Sequence, residues 1–314
     1  MLGALLVVLV HAAPVVANGA ANGAATESAP PLRDTPTAWQ GSRPPECGAG
    51  SGSPNVWERA KSPVVKGYCD RLARGAAKLA ADASLGERVL ALVDEAEAES
   101  PGHAATSVLR GRALESLGRH ADAVRALTDA RTKDPRSTDD APALLAFARS
   151  LAAVGKAKEA RDEYRALLPR ASSLPASERA AACLEAGMLA MDAGPSGLDE
   201  AEAAFRQALR VGWTGIDTVA TYALALVLDR AGRRDEIPAL LETRKDVDPR
   251  RALADANAAT ALGPLVAREF EALVAVASRD RAASSRAWKA YAADGGARSP
   301  WAAHAKEHAE GKPR

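Results

Sequence analysis

An all-α fold of stacked helical hairpins is what this sequence predicts, and three observations predict it. Apolar residues make up 47% of the chain but aromatics only 4%, so the core must be built from Ala, Leu and Val. That palette suits close helix packing better than a sheet. Three turns repeat one chemistry: "LGRHADA" (Leu117–Ala123), "VGKAKEA" (Val154–Ala160) and "AGRRDEI" (Ala231–Ile237). The spacing is periodic as well. Gly118 to Pro135 and Gly232 to Pro249 are each 17 residues apart, and Pro101 to Pro135 are 34 apart.

Taken in order, residues 1–17 read as an export signal. The apolar run Leu2–Val10 is far shorter than the ~20 residues that span a bilayer, and Val15-Val16-Ala17 fits a signal-peptidase site. No cysteine follows the run closely, so a lipoprotein anchor is not expected. Residues 18–54 are dense in Pro, Gly and Ser and read as a linker that cannot bury enough apolar area to offset its ordering entropy. Their "GAGSGS" lacks the Lys-Ser/Thr ending of a phosphate loop. Cys47 and Cys69 form a candidate disulfide, suited to an oxidising compartment. Closing that loop would contribute about 3 kcal/mol in the chain-entropy treatment. Cys183, in "RAAACLEAGMLAM", reads as a small buried hydrophobe.

Residues 55–298 carry the repeats. In each turn glycine ends one helix, a basic residue complements its carboxyl end, and an acid (Asp122, Glu159, Glu236) enters the first turn of the next helix. Within one unit Gly111 is a small contact residue and Leu114, Ala123, Leu127 and Ala130 continue the apolar series to Pro135. The next unit offers Phe147, Ala148, Leu151, Ala160 and Tyr164. A third offers Gly187, Ala201, Phe205 and Ala208, with two extra residues in its "AGPSGLDEA" turn. A fourth has Leu224, Ala225, Leu228, Leu241 and Pro249, and a degenerate first unit has Ala77, Val89, Val93, Ala96 and Pro101. Helices at Glu269–Ser278 and Ala282–Ala292 extend the series. Residues 299–314, opening with Ser299-Pro300, read as a capping helix and tail with one solvated face.

Over residues 70–250 this pattern resembles the tetratricopeptide repeat family: a large-then-small pair in the first helix, a tight turn, Ala-x3-large-x2-Ala in the second, and a closing proline. The resemblance implies a right-handed superhelical solenoid of five to six antiparallel helix pairs. It also implies a concave groove, lined by the first helix of each pair, that holds an extended peptide or partner helix. Mapped onto this sequence, the groove positions are Arg71, Arg74, Lys78, Arg112 and Arg149, with Glu115 as an acidic exception, followed by Leu184, Met188, Tyr222 and Leu226. The expected groove therefore has a basic half and an apolar half.

Other chemistries are poorly supported. Lys and Arg number 41 against 40 Asp and Glu, so no global field recruits nucleic acid or an anionic membrane. The string His304-x-x-Glu307-His308 is similar to an inverted zincin motif, with two His one helical turn apart and a Glu base. It lies near the C-terminus with no domain after it to supply a third ligand, so a solvated helix face is the expectation and a zinc peptidase the remote alternative. His103 and His120 fall in a loop and a turn and are expected to be exposed. No metal and no cofactor are expected. The sequence thus points to a non-enzymatic, exported protein-interaction module, periplasmic or associated with the cell envelope. The alternative is a structural subunit packed permanently into an envelope complex.

Overall fold

The computed structural model describes residues 44–47, 56–243, 281–293 and 298–310, and every regular element among them is helical. The expected export signal, most of the linker, Pro249 and the helix placed at Glu269–Ser278 lie outside these residues. Five hairpins follow one another: α1 (Val56–Ala81) with α2 (Gly86–Glu99), α3 (Ala104–Ser116) with α4 (His120–Lys133), α5 (Ala141–Ala153) with α6 (Ala157–Leu167), α7 (Ala176–Asp192) with α8 (Leu198–Val211), and α9 (Ile216–Arg230) with α10 (Ile237–Glu242). A further hairpin joins α11 (Arg281–Ala293) to α12 (Ala302–Ala309).

The three similar turns share one geometry. Gly118, Gly155 and Gly232 have φ of 72°, 81° and 75°, a left-handed conformation that a Cβ penalises. After each, the next amide donates to the carbonyl five residues back: Arg119 to Leu114 at 2.8 Å, Lys156 to Leu151 at 2.9 Å and Arg233 to Leu228 at 2.8 Å. This satisfies carbonyls that the helix end would otherwise leave open.

Packing depends on small residues facing large ones. A Cβ on Gly111 would sit 2.5 Å from Leu127 Cγ, and one on Gly187 would sit 2.4 Å from Phe205 Cε1. Leu127, Tyr164 and Phe205, the large members of their units, are all buried. The first unit corrects the expected register. Ala77 is exposed, and the close approach is made by Gly75, whose Cβ would meet Leu109 Cδ2 at 2.7 Å.

First helices touch directly at three of the four junctions between these hairpins, α1 with α3, α3 with α5 and α7 with α9, whereas neighbouring second helices approach less closely. The stack therefore curves toward its first-helix side. The wider gaps between second helices are bridged by arginine–carboxylate pairs. Arg131 Nη1 donates to Glu163 Oε1 at 2.6 Å, and Arg161 and Arg165 both reach Glu200, at 2.7 and 2.9 Å. Arginine has the length and the planar fork to span that distance.

Both ends of the array are covered. The short 3-10 turn Pro45–Cys47, assigned to the linker from sequence, is docked on α1 through the Cys47–Cys69 disulfide, with a Cα separation of 5.6 Å. Its Glu46 carboxylate accepts from Tyr68 Oη at 3.1 Å and lies 3.1 Å from His103 Nδ1. At the other end α12 keeps Ala303 and Lys306 exposed and buries Ala305. Trp301 Nε1 donates to the Met191 carbonyl at 3.1 Å, and the Arg230 guanidinium lies 4.3 Å above the Trp301 ring. Beside these contacts, α9 is buried at every position from Val219 to Asp229.

Candidate functional site

Of the nine expected groove residues, few line a free surface. Leu184 and Tyr222 retain 7% and 6% exposure and Leu226 none. All three belong to the apolar core between the fourth and fifth hairpins, with Met188 packed at its margin. The apolar half of the expected groove is thus interior. The error arose because α9 is apolar around its whole circumference, so periodicity could not tell an inward-facing side from a buried one.

The basic half is neutralised in part, at Arg71 and Arg149. Arg71 is paired with Glu95 at 3.0 Å and Glu99 at 2.8 Å, both on α2. Arg149 is gripped by Glu185 of the next hairpin, which lies 2.9 Å from its Nη2 and also accepts from Tyr164 Oη at 2.7 Å. Arg74 is exposed and Lys78 half-buried. A carboxylate one repeat further on can neutralise an arginine, and sequence spacing within a repeat does not reveal it.

What remains is a charged floor on the first-helix side of α3, α5 and α7. Arg112 keeps partial exposure although protein surrounds most of it, and it faces Asp140, Glu178 and Glu115. Burial pushes its guanidinium pKa down, and those carboxylates act in the opposite direction. Glu115, one turn along α3, has its pKa raised by burial, with Arg149 pulling it back and Glu185 and Glu178 adding to it. Its Oε1 is buried without a hydrogen-bond partner among the described residues. The floor thus carries more carboxylates than arginines, and part of its hydrogen-bonding capacity is unused.

The raised Glu115 pKa gives a signed expectation. The folded chain binds this proton more tightly than the unfolded chain, so the associated stability is present below the unfolded carboxylate pKa and lost as pH rises through the folded one. Glu115→Gln keeps the shape and removes the ionisation. The variant should melt higher than the parent at pH 7 and show no gain at pH 4, as thermal denaturation at the two pH values will read.

A second constellation joins the two histidines noted in the sequence to an acid that was not. Asp229, at the end of α9 and 2% exposed, receives the two histidines of α12. His304 Nε2 lies 2.8 Å and His308 Nε2 2.9 Å from Asp229 Oδ2, and the two ring nitrogens are 3.2 Å apart. Arg234 holds the other carboxylate oxygen through its Nε, and its Nη2 is 2.7 Å from His308 Nε2. Trp288 of α11 stacks on His308 with centroids 4.4 Å apart. These three are the one group among the described residues whose His, Cys, Asp or Glu side chains have the spacing of a metal ligand set. The available signal was Asp229 itself, an acid inside the apolar run "ATYALALVLD". His103 and His120 are half-buried rather than fully exposed. His103 meets Glu46 and packs 5.0 Å from the Tyr68 ring, and burial lowers the His120 pKa.

The open cleft of about 710 Å³ between α2, α3 and α4 carries no comparable chemistry, because its arginines already answer its own carboxylates: Arg110 with Asp94 at 2.8 Å and Arg119 with Asp122 at 2.9 Å. No helix among the described residues is long and apolar enough to cross a membrane.

Among solved structures, the chain is similar to a tetratricopeptide repeat protein from Parabacteroides merdae ATCC 43184, at 16% identity and a TM-score of 0.43, over 78% of this chain and 98% of that one. It is also similar to a chain in the structure of Naa15/Naa10 bound to HypK-THB, at 13% identity and a TM-score of 0.41. That match covers 78% of this chain and 39% of the other, so this chain spans about two fifths of its length. No family model and no curated protein matches the sequence.

Proposed function

We propose that the protein is a non-catalytic interaction module, exported to the cell envelope, that holds a peptide or helix of a protein partner along the first-helix side of α3, α5 and α7. The observation that carries this reading is the charged floor of that face, where Arg112 and Glu115 keep partial exposure although protein surrounds most of each. The excess of carboxylates favours a partner segment with Lys or Arg. The Cys47–Cys69 pairing supports an oxidising compartment. The protein's own α12 meets the C-terminal ends of α7 and α9, at Met191, Asp229 and Arg230.

A photoactivatable residue at position 112, compared with one at the exposed Arg125 on α4, tests the proposal in native cell-envelope fractions. Crosslinking to a defined protein from position 112 alone, weakened at high ionic strength, is the expected result. Equal crosslinking from both positions, or none from 112, would overturn it.

A further inference from the structure

We propose that Asp229, His304 and His308 form a binding site for a divalent transition cation of the zinc type, which fastens α12 to α9. This lies beyond the interaction reading and stands or falls separately from it. The spacing of His304 and His308, four residues apart, puts both imidazoles on one face of α12. Asp229 arrives from an element 75 residues away and supplies the third donor. Three donor atoms converge with mutual separations of 2.8, 2.9 and 3.2 Å. Tetrahedral zinc with bonds of about 2.0–2.1 Å sets its ligand atoms about 3.3 Å apart, so the cluster is close to that spacing and slightly contracted. Two imidazoles and one carboxylate form a donor set that suits zinc, cobalt or nickel rather than magnesium or calcium.

Hydrogen bonding alone does not account for the arrangement. His308 Nε2 faces Arg234 Nη2 at 2.7 Å, Asp229 Oδ2 at 2.9 Å and His304 Nε2 at 3.2 Å. If that nitrogen carries a proton, it donates to Asp229 but opposes the N–H of Arg234, because guanidinium has no acceptor. If it carries a lone pair, it accepts from Arg234 but opposes the carboxylate oxygen. Neither protonation state satisfies both contacts. A cation at the point of convergence accepts lone pairs from both imidazoles and from Oδ2, once Arg234 Nη2 swings aside while its Nε stays on Oδ1. The rings are already oriented for this, His308 by the stacked Trp288 and His304 by Trp301 and Trp288 at its edges. Such outer supports are what hold metal ligands in place.

The test uses the full chain, free of any polyhistidine tag and stripped with a chelator, titrated with Co²⁺ and Zn²⁺. One equivalent per chain should bind, with the visible absorption of four-coordinate cobalt and a rise in Tm that zinc reproduces. Cu²⁺ should quench Trp fluorescence in the parent and measurably less in Trp288→Phe, the remainder falling on Trp301 at the edge of His304. His304→Ala/His308→Ala should weaken binding by at least about tenfold. Absence of binding by the folded parent overturns the proposal. So does undiminished binding by the double variant, or quenching that Trp288→Phe leaves unchanged. If the double variant fails to fold, the parent titration and the Trp288→Phe comparison decide the matter.

Discussion

Gly197→Ala is expected to lower the stability of the array by about 3 kcal/mol or more, at the upper end of what overpacking costs. Gly197 ends the 3-10 turn Pro195–Gly197 and leads directly into α8. Its φ of −100° is open to any residue, so the penalty is purely steric. A Cβ there would fall 1.8 Å from the carbonyl oxygen of Ala190 in α7. Both partners are backbone, so no rotamer change relieves the clash and α8 must move away from α7. Gly111→Ala is the informative comparison. There the new methyl meets the Leu127 side chain at 2.5 Å, and a side chain can turn aside at a cost of about 1–3 kcal/mol. Circular dichroism melting should rank the two variants in that order, with Gly197→Ala shifted down by about 6 °C or more. An unchanged Tm for Gly197→Ala would mean that the two helices do not cross as described.

That contrast marks what the sequence made legible. The helical class, the hairpins and the left-handed glycines at 118, 155 and 232 follow from local chemistry repeated in phase, and local chemistry is what a sequence displays. Gly111 and Gly187 were readable as contacts because Leu127 and Phe205 recur at the matching place in the partner helix. Gly197 was not, because it sits in an enlarged turn outside the period. The candidate site was less legible for a related reason. Whether Arg149 is a free charge or a neutralised one depends on Glu185, a residue 36 positions away in the next hairpin. Whether Leu226 faces a groove depends on what packs beside α9. The histidines of α12 were seen, but their partner Asp229 lies 75 residues back, and only the fold brings the three together. Relations across more than one repeat are set by how the array curves and closes, which no single repeat encodes.

The Arg149–Glu185 pair supplies the second large effect, and it separates architecture from recognition. Burial alone would lower the Arg149 pKa, but the Glu185 carboxylate, by its charge and its hydrogen bonds, more than reverses this. Tyr164 is held well above its usual pKa by burial and by the same carboxylate. Glu185→Ala leaves a guanidinium enclosed by protein with only Glu115 nearby to answer it, and it leaves the Tyr164 hydroxyl without its acceptor. The cost should be about 3 kcal/mol, the low end for a broken buried pair, since Glu185 keeps about a third of its surface. Replacing both charges with apolar groups of similar size, Arg149→Met/Glu185→Met, should recover most of that loss, because two desolvated charges are removed together, while the Tyr164 hydroxyl still lacks its acceptor. Chemical denaturation of the parent, the single and the double variants measures the cycle. If the double variant is as unstable as Glu185→Ala, the pair is contributing net stability rather than specifying which surfaces meet. The double variant also bears on recognition: it alters the floor beside Arg112 without unfolding it. A partner that reads charge there should bind it more weakly, whereas one that reads only the shape of the array should not distinguish it from the parent.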